Sequence, residues 1–238
     1  MAAENSEEKK MKTIQKQILC IVMGIVLLMM PVGADLIPGT EIIVVKGEIN
    51  DVYLLETDDG YIAIDTGMEK DTIAAGLDEL SIQNADIKYV LLTHADFDHV
   101  GGLGLFPDAE VYISEDEVQM IDGTTERAPS IFNELPADIS ADDFILLTDQ
   151  QELTIGGHTI LCIKTPGHTP GSMSYLIDEK YLFTGDIVQV ENNTIMSVHP
   201  STMDEAQAKQ TIQFLKTIKN DALVLTAHFG FYTGRYLF

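Results

Sequence analysis

Two histidines and two aspartates fall within six residues in the stretch Leu91-Leu92-Thr93-His94-Ala95-Asp96-Phe97-Asp98-His99-Val100-Gly101-Gly102. Imidazole and carboxylate are the donors that zinc, iron and manganese take in hydrolytic and redox sites. Three further fragments share the form of an apolar run that ends on a ligand type. They end at His168 in Thr165-Pro166-Gly167-His168, at Asp186 in Leu182-Phe183-Thr184-Gly185-Asp186, and at His228 in Val224-Leu225-Thr226-Ala227-His228. Each fragment alone is a weak signal. Four of them, each placed where a strand gives way to a loop, point to one metal site at the edge of packed sheets. His158 and His199 stand outside this pattern and are expected to be surface or hydrogen-bonded residues. Cys162, inside Ile160-Leu161-Cys162-Ile163, reads as a core thiol.

The positioning elements follow from hydrophobic periodicity. Glu41–Val45, Val52–Glu56 and Tyr61–Ile64 read as strands, with Asp59-Gly60 as a tight turn. Lys70–Leu80 has helical spacing, and Tyr89–Leu92 is a short buried strand that delivers His94. Val111–Ile113 is another strand, after which Ser114 caps a helix through Met120. Thr124–Asp143 is polar and irregular, a loop or lid over the site. Strands are expected at Phe144–Leu147, Glu152–Ile155, Thr159–Ile163, Met173–Ile177, Tyr181–Thr184 and Leu223–Thr226, with a helix at Ala206–Ile218. Two blocks of strands with helices between and after them predict an α/β fold of two sheets with helical outer layers.

At 238 residues and 45% hydrophobic content the chain suits one core-bearing domain. A formal charge of -24 repels nucleic acid, whose binding runs on lysines and arginines, but attracts divalent cations. Lys9, Lys10, Lys12 and Lys16 precede an apolar run from Ile18, which closes on Pro31-Val32-Gly33-Ala34. Residues 1–34 therefore read as a signal peptide or N-terminal membrane segment. Ile18–Val32 is 15 residues, below the roughly 20 that span a bilayer, which favours cleavage after Ala34. Removal takes away four lysines and three glutamates, moving the charge from -24 to -25, and leaves Cys162 without a partner for a disulfide. The expectation is an exported domain over 35–238 that touches membrane only through the N-terminal segment.

The motifs resemble those of the metallo-β-lactamase fold hydrolases, over nearly the whole domain from Tyr61-Ile62-Ala63-Ile64-Asp65-Thr66-Gly67 to His228. The resemblance implies an αβ/βα four-layer sandwich with a mono- or dinuclear metal site along one edge. The family's leading motif, His-x-His-x-Asp-His followed by Gly-Gly, is matched by His94, Asp98, His99, Gly101 and Gly102. Its downstream ligands are matched by His168, Asp186 and His228. By that resemblance His94 and His168 hold a first ion, Asp98, His99 and His228 hold a second, and Asp186 bridges them. Asp65 would support the metal loop without ligating. Two divalent ions are implied, zinc first, with iron or manganese as alternatives.

Asp96 is the departure, because most members carry histidine there. It could ligate as a carboxylate, as Glu does in redox-active diiron relatives. It could fall short, leaving the second ion to work alone. The motif also resembles the variant in competence-type DNA-uptake domains, which carry Asp here. Ligation by Asp96 is taken as the expectation, and its added charge favours oxygen-loving iron or manganese.

The resemblance implies a metal-dependent hydrolase in which an activated hydroxide, oriented by Asp98, attacks an ester, thioester, lactone or amide of a small molecule. The segment from Thr165 to Ser172 and the aspartate at 186 look more like the glyoxalase II branch than like β-lactamases with cysteine at the bridging place. The alternatives are a non-haem iron oxidoreductase of the same fold and a phosphodiesterase, the latter disfavoured by the charge.

Overall fold

The computed structural model describes residues 33–128, 141–191, 194–196, 198–199, 201–218, 221–228 and 231–232. The first sheet has seven strands in sequential order: β1 (Gly33–Leu36), β2 (Ile43–Lys46), β3 (Asp51–Thr57), β4 (Gly60–Ile64), β5 (Ile87–Leu91), β6 (Glu110–Ser114) and β7 (Ile145–Leu147). Pairing is antiparallel up to β4 and parallel from β4 to β7. The second sheet uses β8 (Glu152–Ile155), β9 (His158–Lys164), β10 (Met173–Ile177), β11 (Tyr181–Phe183), β14 (Leu223–Leu225) and β15 (Phe231–Tyr232). Its order is β15-β14-β11-β10-β9-β8, with β11 and β14 parallel. A separate hairpin joins β12 (Gln189–Glu191) to β13 (Thr194–Met196).

The central strands are buried on both faces, which is why their sequences read as continuous apolar runs. Along β3, Tyr53 and Leu55 enter the core between the sheets, while Val52 and Leu54 face the other way. The inter-sheet core also takes Ile62 and Ile64 from β4 and Ile160, Cys162, Tyr175 and Phe183 from the second sheet. Helix α1 (Lys70–Glu79) covers the outer face of the first sheet through Ile73 and Leu77. On the outer face of the second sheet, Ala208, Ile212 and Leu215 of α4 (Glu205–Leu215) pack on Ile163, Leu182 and Val224. Helix, sheet, sheet and helix are the layers expected for an αβ/βα sandwich.

Both helices begin and end within a few residues of where their periodicity places them. The helix expected from the Ser114 cap through Met120 is found as a tight turn over Glu115–Glu117, capped by Ser114, that continues into α3 (Val118–Ile121), whereas the short helix α2 (Phe97–Val100) was not in the sequence reading. That reading also lacked β1. Gly33 and Ala34 pair with Lys46 and Val45, so cleavage after Ala34 would leave only Asp35 and Leu36 of that strand. The rest of the expected signal segment lies outside the described residues. Among those described, no helix is long and apolar enough to cross a membrane. Most of the expected Thr124–Asp143 lid lies outside them too.

Candidate metal centre

Five strands end at one edge of the sandwich, and each hands its chain to a site residue. Asp65 follows β4, His94 follows β5, His168 lies four residues past β9, Asp186 three past β11, and His228 three past β14. The parallel pairings of β4 with β5 and of β11 with β14 point these ends the same way. Helix α2 then starts immediately after Asp96 and places Asp98 and His99 in its single turn. The Gly101-Gly102 pair that follows is required by close approach, since a Cβ on Gly102 would collide with the Thr66 carbonyl. Gly185 sits at φ +53°, and a Cβ there would lie 2.6 Å from Thr93 Oγ1, so the Asp186 turn packs directly on the His94 loop.

All seven expected ligands come together. His94, Asp96 and His168 form one group, and Asp98, His99 and His228 another. Asp186 lies between them, its Oδ2 3.5 Å from His168 Nε2 and 3.2 Å from His228 Nε2, its Oδ1 3.6 Å from His99 Nε2. His228 Nε2 is 3.3 Å from Asp98 Oδ2, and His99 Nε2 is 3.5 Å from the same oxygen. Donors 2.0–2.1 Å from one tetrahedral ion lie roughly 3.4 Å apart. His94 Nε2, His99 Nε2 and Asp186 Oδ1 are buried without a hydrogen-bond partner, and each turns toward the cluster. Orphaned buried donors of this kind are what a cation satisfies, so the residues present fit a metal.

The far sides of His94, His99 and His228 are held. His99 Nδ1 is 2.8 Å from Asp65 Oδ2, and His228 Nδ1 is 2.8 Å from the Ile49 carbonyl. Neither a carboxylate nor a carbonyl can donate, so both Nδ1 atoms carry the hydrogen and Nε2 is left for the site. Asp65 also accepts from Thr93 N at 2.8 Å and Thr93 Oγ1 at 2.9 Å, and Thr93 Oγ1 is 3.0 Å from His94 Nδ1. Asp65 thus supports the loop as expected, from a left-handed backbone at φ +58° that costs a non-glycine residue some strain. Asp65→Asn is expected to weaken metal affinity roughly 10- to 100-fold while the fold persists. Equilibrium dialysis against zinc measures this, and unchanged affinity would sink the role.

Electrostatics separates the two groups. Burial opposes charge on His99, yet Asp65, Asp98 and Asp186 outweigh it and hold the ring well above the ordinary histidine range. His228 likewise, against burial, is pushed up to about 10 by Asp186 and Asp98. In contrast, burial and the neighbouring His99 push His94 down. The corner made by Asp98, His99, His228 and Asp186 is therefore the one that demands a positive charge.

Three residues here were not identified from sequence. Arg127, 8% exposed, clamps Asp96 with Nε on Oδ1 and Nη2 on Oδ2, both at 2.7 Å. Glu117, fully buried, accepts from Ala95 N at 2.9 Å, Gly171 N at 2.9 Å and Thr169 Oγ1 at 2.8 Å, tying the His94 loop to the His168 loop. His199, expected among surface or hydrogen-bonded residues, does bond Ser201 Oγ at 2.7 Å but faces the site. Its ring stacks on His228 at 5.3 Å and its Nδ1 is 3.8 Å from Asp186 Oδ2. Burial pushes it down to about 4. The turn carrying it is bound to the His168 loop by Met203 N on the His168 carbonyl at 3.0 Å. His158 meets the expectation for a surface residue, bonding Asp178 at 2.7 Å and the Glu56 carbonyl at 2.9 Å away from the cluster.

Comparison with known proteins places this arrangement. The metallo-beta-lactamase superfamily matches residues 45–228. The probable polyketide biosynthesis zinc-dependent hydrolase PksB of Bacillus subtilis is 29% identical over 194 residues, covering 79% of this chain and 74% of that protein. Its counterpart BaeB of Bacillus velezensis is 32% identical over 147 residues, 60% of this chain and 56% of that one. This chain thus spans about three quarters of the first relative and little more than half of the second. Among solved structures, a Cronobacter sakazakii metallo-beta-lactamase superimposes with TM-score 0.65 at 26% identity, covering 83% of this chain and 78% of that one. That enzyme is described by a HARLDQ motif, with a charged residue other than histidine in the third place. Asp96 holds the third place in His94-Ala95-Asp96-Phe97-Asp98-His99 here. With the sandwich, the strand-end cluster and the matched span in agreement, the chain belongs to the metallo-beta-lactamase superfamily, and within it to the metal-dependent hydrolases.

Proposed function

We propose that the protein hydrolyses an ester, thioester, lactone or amide bond in a small molecule, with its ion held by Asp98, His99, His228 and Asp186. The observation that carries this reading is the convergence of those four side chains, two of them with buried donor atoms left unbonded, where five strands end. A bound divalent ion there supplies a Lewis acid and lowers the pKa of water toward neutrality. Asp98, with Oδ2 between the His99 and His228 nitrogens, orients the attacking water. Asp65 and the Ile49 carbonyl keep His99 and His228 in the tautomer that faces the ion. Zinc is the ion proposed, because the PksB and BaeB relatives carry it in their descriptions. Their polyketide context favours a small carbonyl compound, and a formal charge of -24 disfavours a polyanion.

The full chain, stripped of metal and reloaded with zinc, is assayed on a p-nitrophenyl ester, a thioester, a lactone, a β-lactam and a bis-phosphodiester. Zinc-dependent cleavage of at least one carbonyl substrate, lost on chelation and recovered on reloading, is expected. Cleavage of the phosphodiester alone, or turnover that persists after zinc removal, would overturn the reading.

A further inference from the structure

The His94–Asp96–His168 corner has the ligand types for an ion but already contains a cation. Arg127 closes on Asp96 with a parallel pair of hydrogen bonds, Nε to Oδ1 and Nη2 to Oδ2, each 2.7 Å. This fork geometry uses both carboxylate oxygens and is among the strongest hydrogen-bonded pairings available to a carboxylate. The pair is largely buried, with side-chain exposures of 7% for Arg127 and 12% for Asp96. Nη2 also stands 3.3 Å from His168 Nε2, the nitrogen that would ligate, and Asp96 Oδ2 is 3.2 Å from the same atom. An ion shared by Asp96 and His168 would have to break the fork and accept the guanidinium as a like-charged neighbour.

The arginine is also held from behind. It follows a turn fixed by Thr125 N on the Gln119 carbonyl at 2.9 Å, Thr125 Oγ1 on Gln119 Oε1 at 2.6 Å, and Thr124 N on Asp122 Oδ1 at 2.8 Å. Charge counting agrees. Asp96, Asp98 and Asp186 face the cluster against one guanidinium, leaving two negative charges that a single divalent ion cancels. A second ion would turn that balance positive even with the buried Asp65 beside His99 counted, an arrangement that desolvation makes costly.

We propose that Arg127 takes the place of an ion at the His94–Asp96–His168 corner, so that the protein holds one tightly bound ion, on Asp98, His99, His228 and Asp186, with the guanidinium as the site's second positive charge. This rests on the hydrolase reading only for the ion at that second position.

The test is metal stoichiometry of the full-length protein, by equilibrium dialysis against zinc followed by elemental analysis. The native chain is expected to retain one zinc per chain. Arg127→Met frees Asp96 and is expected to retain two, its affinity for the additional ion rising roughly 10- to 100-fold over the native chain's. Arg127→Lys, which keeps a charge but cannot span both oxygens, should fall between them, and it serves if the Met variant does not fold. Two zinc ions of comparable affinity in the native chain, or one in the native chain and no gain in either variant, would overturn the inference and leave the hydrolase reading standing. No retained zinc in the native chain at saturation would overturn both. His99→Ala should lose the native ion, which assigns it to the second position; an ion retained there would place it at the Asp96 corner and overturn the inference.

Discussion

Asp186→Ala is expected to strip the ion from the protein and to lower kcat/KM on its substrate by about a thousandfold or more, the equivalent of losing several kcal/mol of electrostatic stabilisation. Asp186 lies at the centre of the cluster, within 3.2–3.8 Å of nitrogens on His228, His168, His99 and His199. Burial would raise its pKa, but the charges of His228, His99 and His168 hold it well below the carboxylate range, so it stays ionised. Without it, Asp98 alone faces the two nitrogens at the corner that most needs a cation. Asp186→Asn keeps the shape and removes the charge, and should retain the fold with little metal. His158→Ala is the control, because its bonds to Asp178 and Glu56 lie away from the cluster. Elemental analysis beside steady-state rates decides the matter. Full metal content and full rate in Asp186→Ala would show that the residue is not central to binding.

The framework was legible because it is written in short-range patterns. A buried strand between two packed faces must be apolar throughout, so the polar residue that ends it is conspicuous, and His94, Asp186 and His228 were found that way. The residues that were missed have no such contrast. Arg127 lies in a polar stretch, one cation among turn-forming residues, and its inward course depends on a turn pinned by Thr125. Glu117 belongs to the acidic run Glu115-Asp116-Glu117, which reads as solvated. Only its spacing, four residues before the partly buried Ile121, hinted at an inward face. His199 lies beyond the β12–β13 hairpin and reaches the site through backbone bonds to the His168 loop, a long-range pairing that periodicity does not encode.

Glu117 carries the largest expected effect on stability. Its carboxylate accepts three hydrogen bonds with no exposure to water, from Ala95 N, Gly171 N and Thr169 Oγ1. Glu117→Ala leaves two buried backbone N–H groups without an acceptor, each costing about 1–3 kcal/mol, and opens a void between the loops. A loss of roughly 3–5 kcal/mol at pH 5 is expected, or on the order of 10 °C in Tm. The loops of His94 and His168 are the ones it joins, so metal affinity should fall about tenfold as well. The pH dependence has a definite sign. Burial, and next to it the charge of Asp96, push Glu117 up to about 7 from 4.5, against the pull of its three donors. The folded state thus holds a proton that the unfolded chain has released between those values. Stability from this group is full below pH 4.5 and is lost as pH rises through 7, by on the order of 3 kcal/mol. Glu117→Gln mimics the protonated acid and cannot titrate, so its stability should vary less than the native chain's across that window. Chemical denaturation of both proteins at pH 5, 6, 7 and 8 measures the gap. A native stability that falls relative to the Gln variant as pH rises supports the assignment, whereas a difference that stays constant or moves in the native chain's favour would mean that Glu117 is ionised throughout and that its three donors outweigh burial.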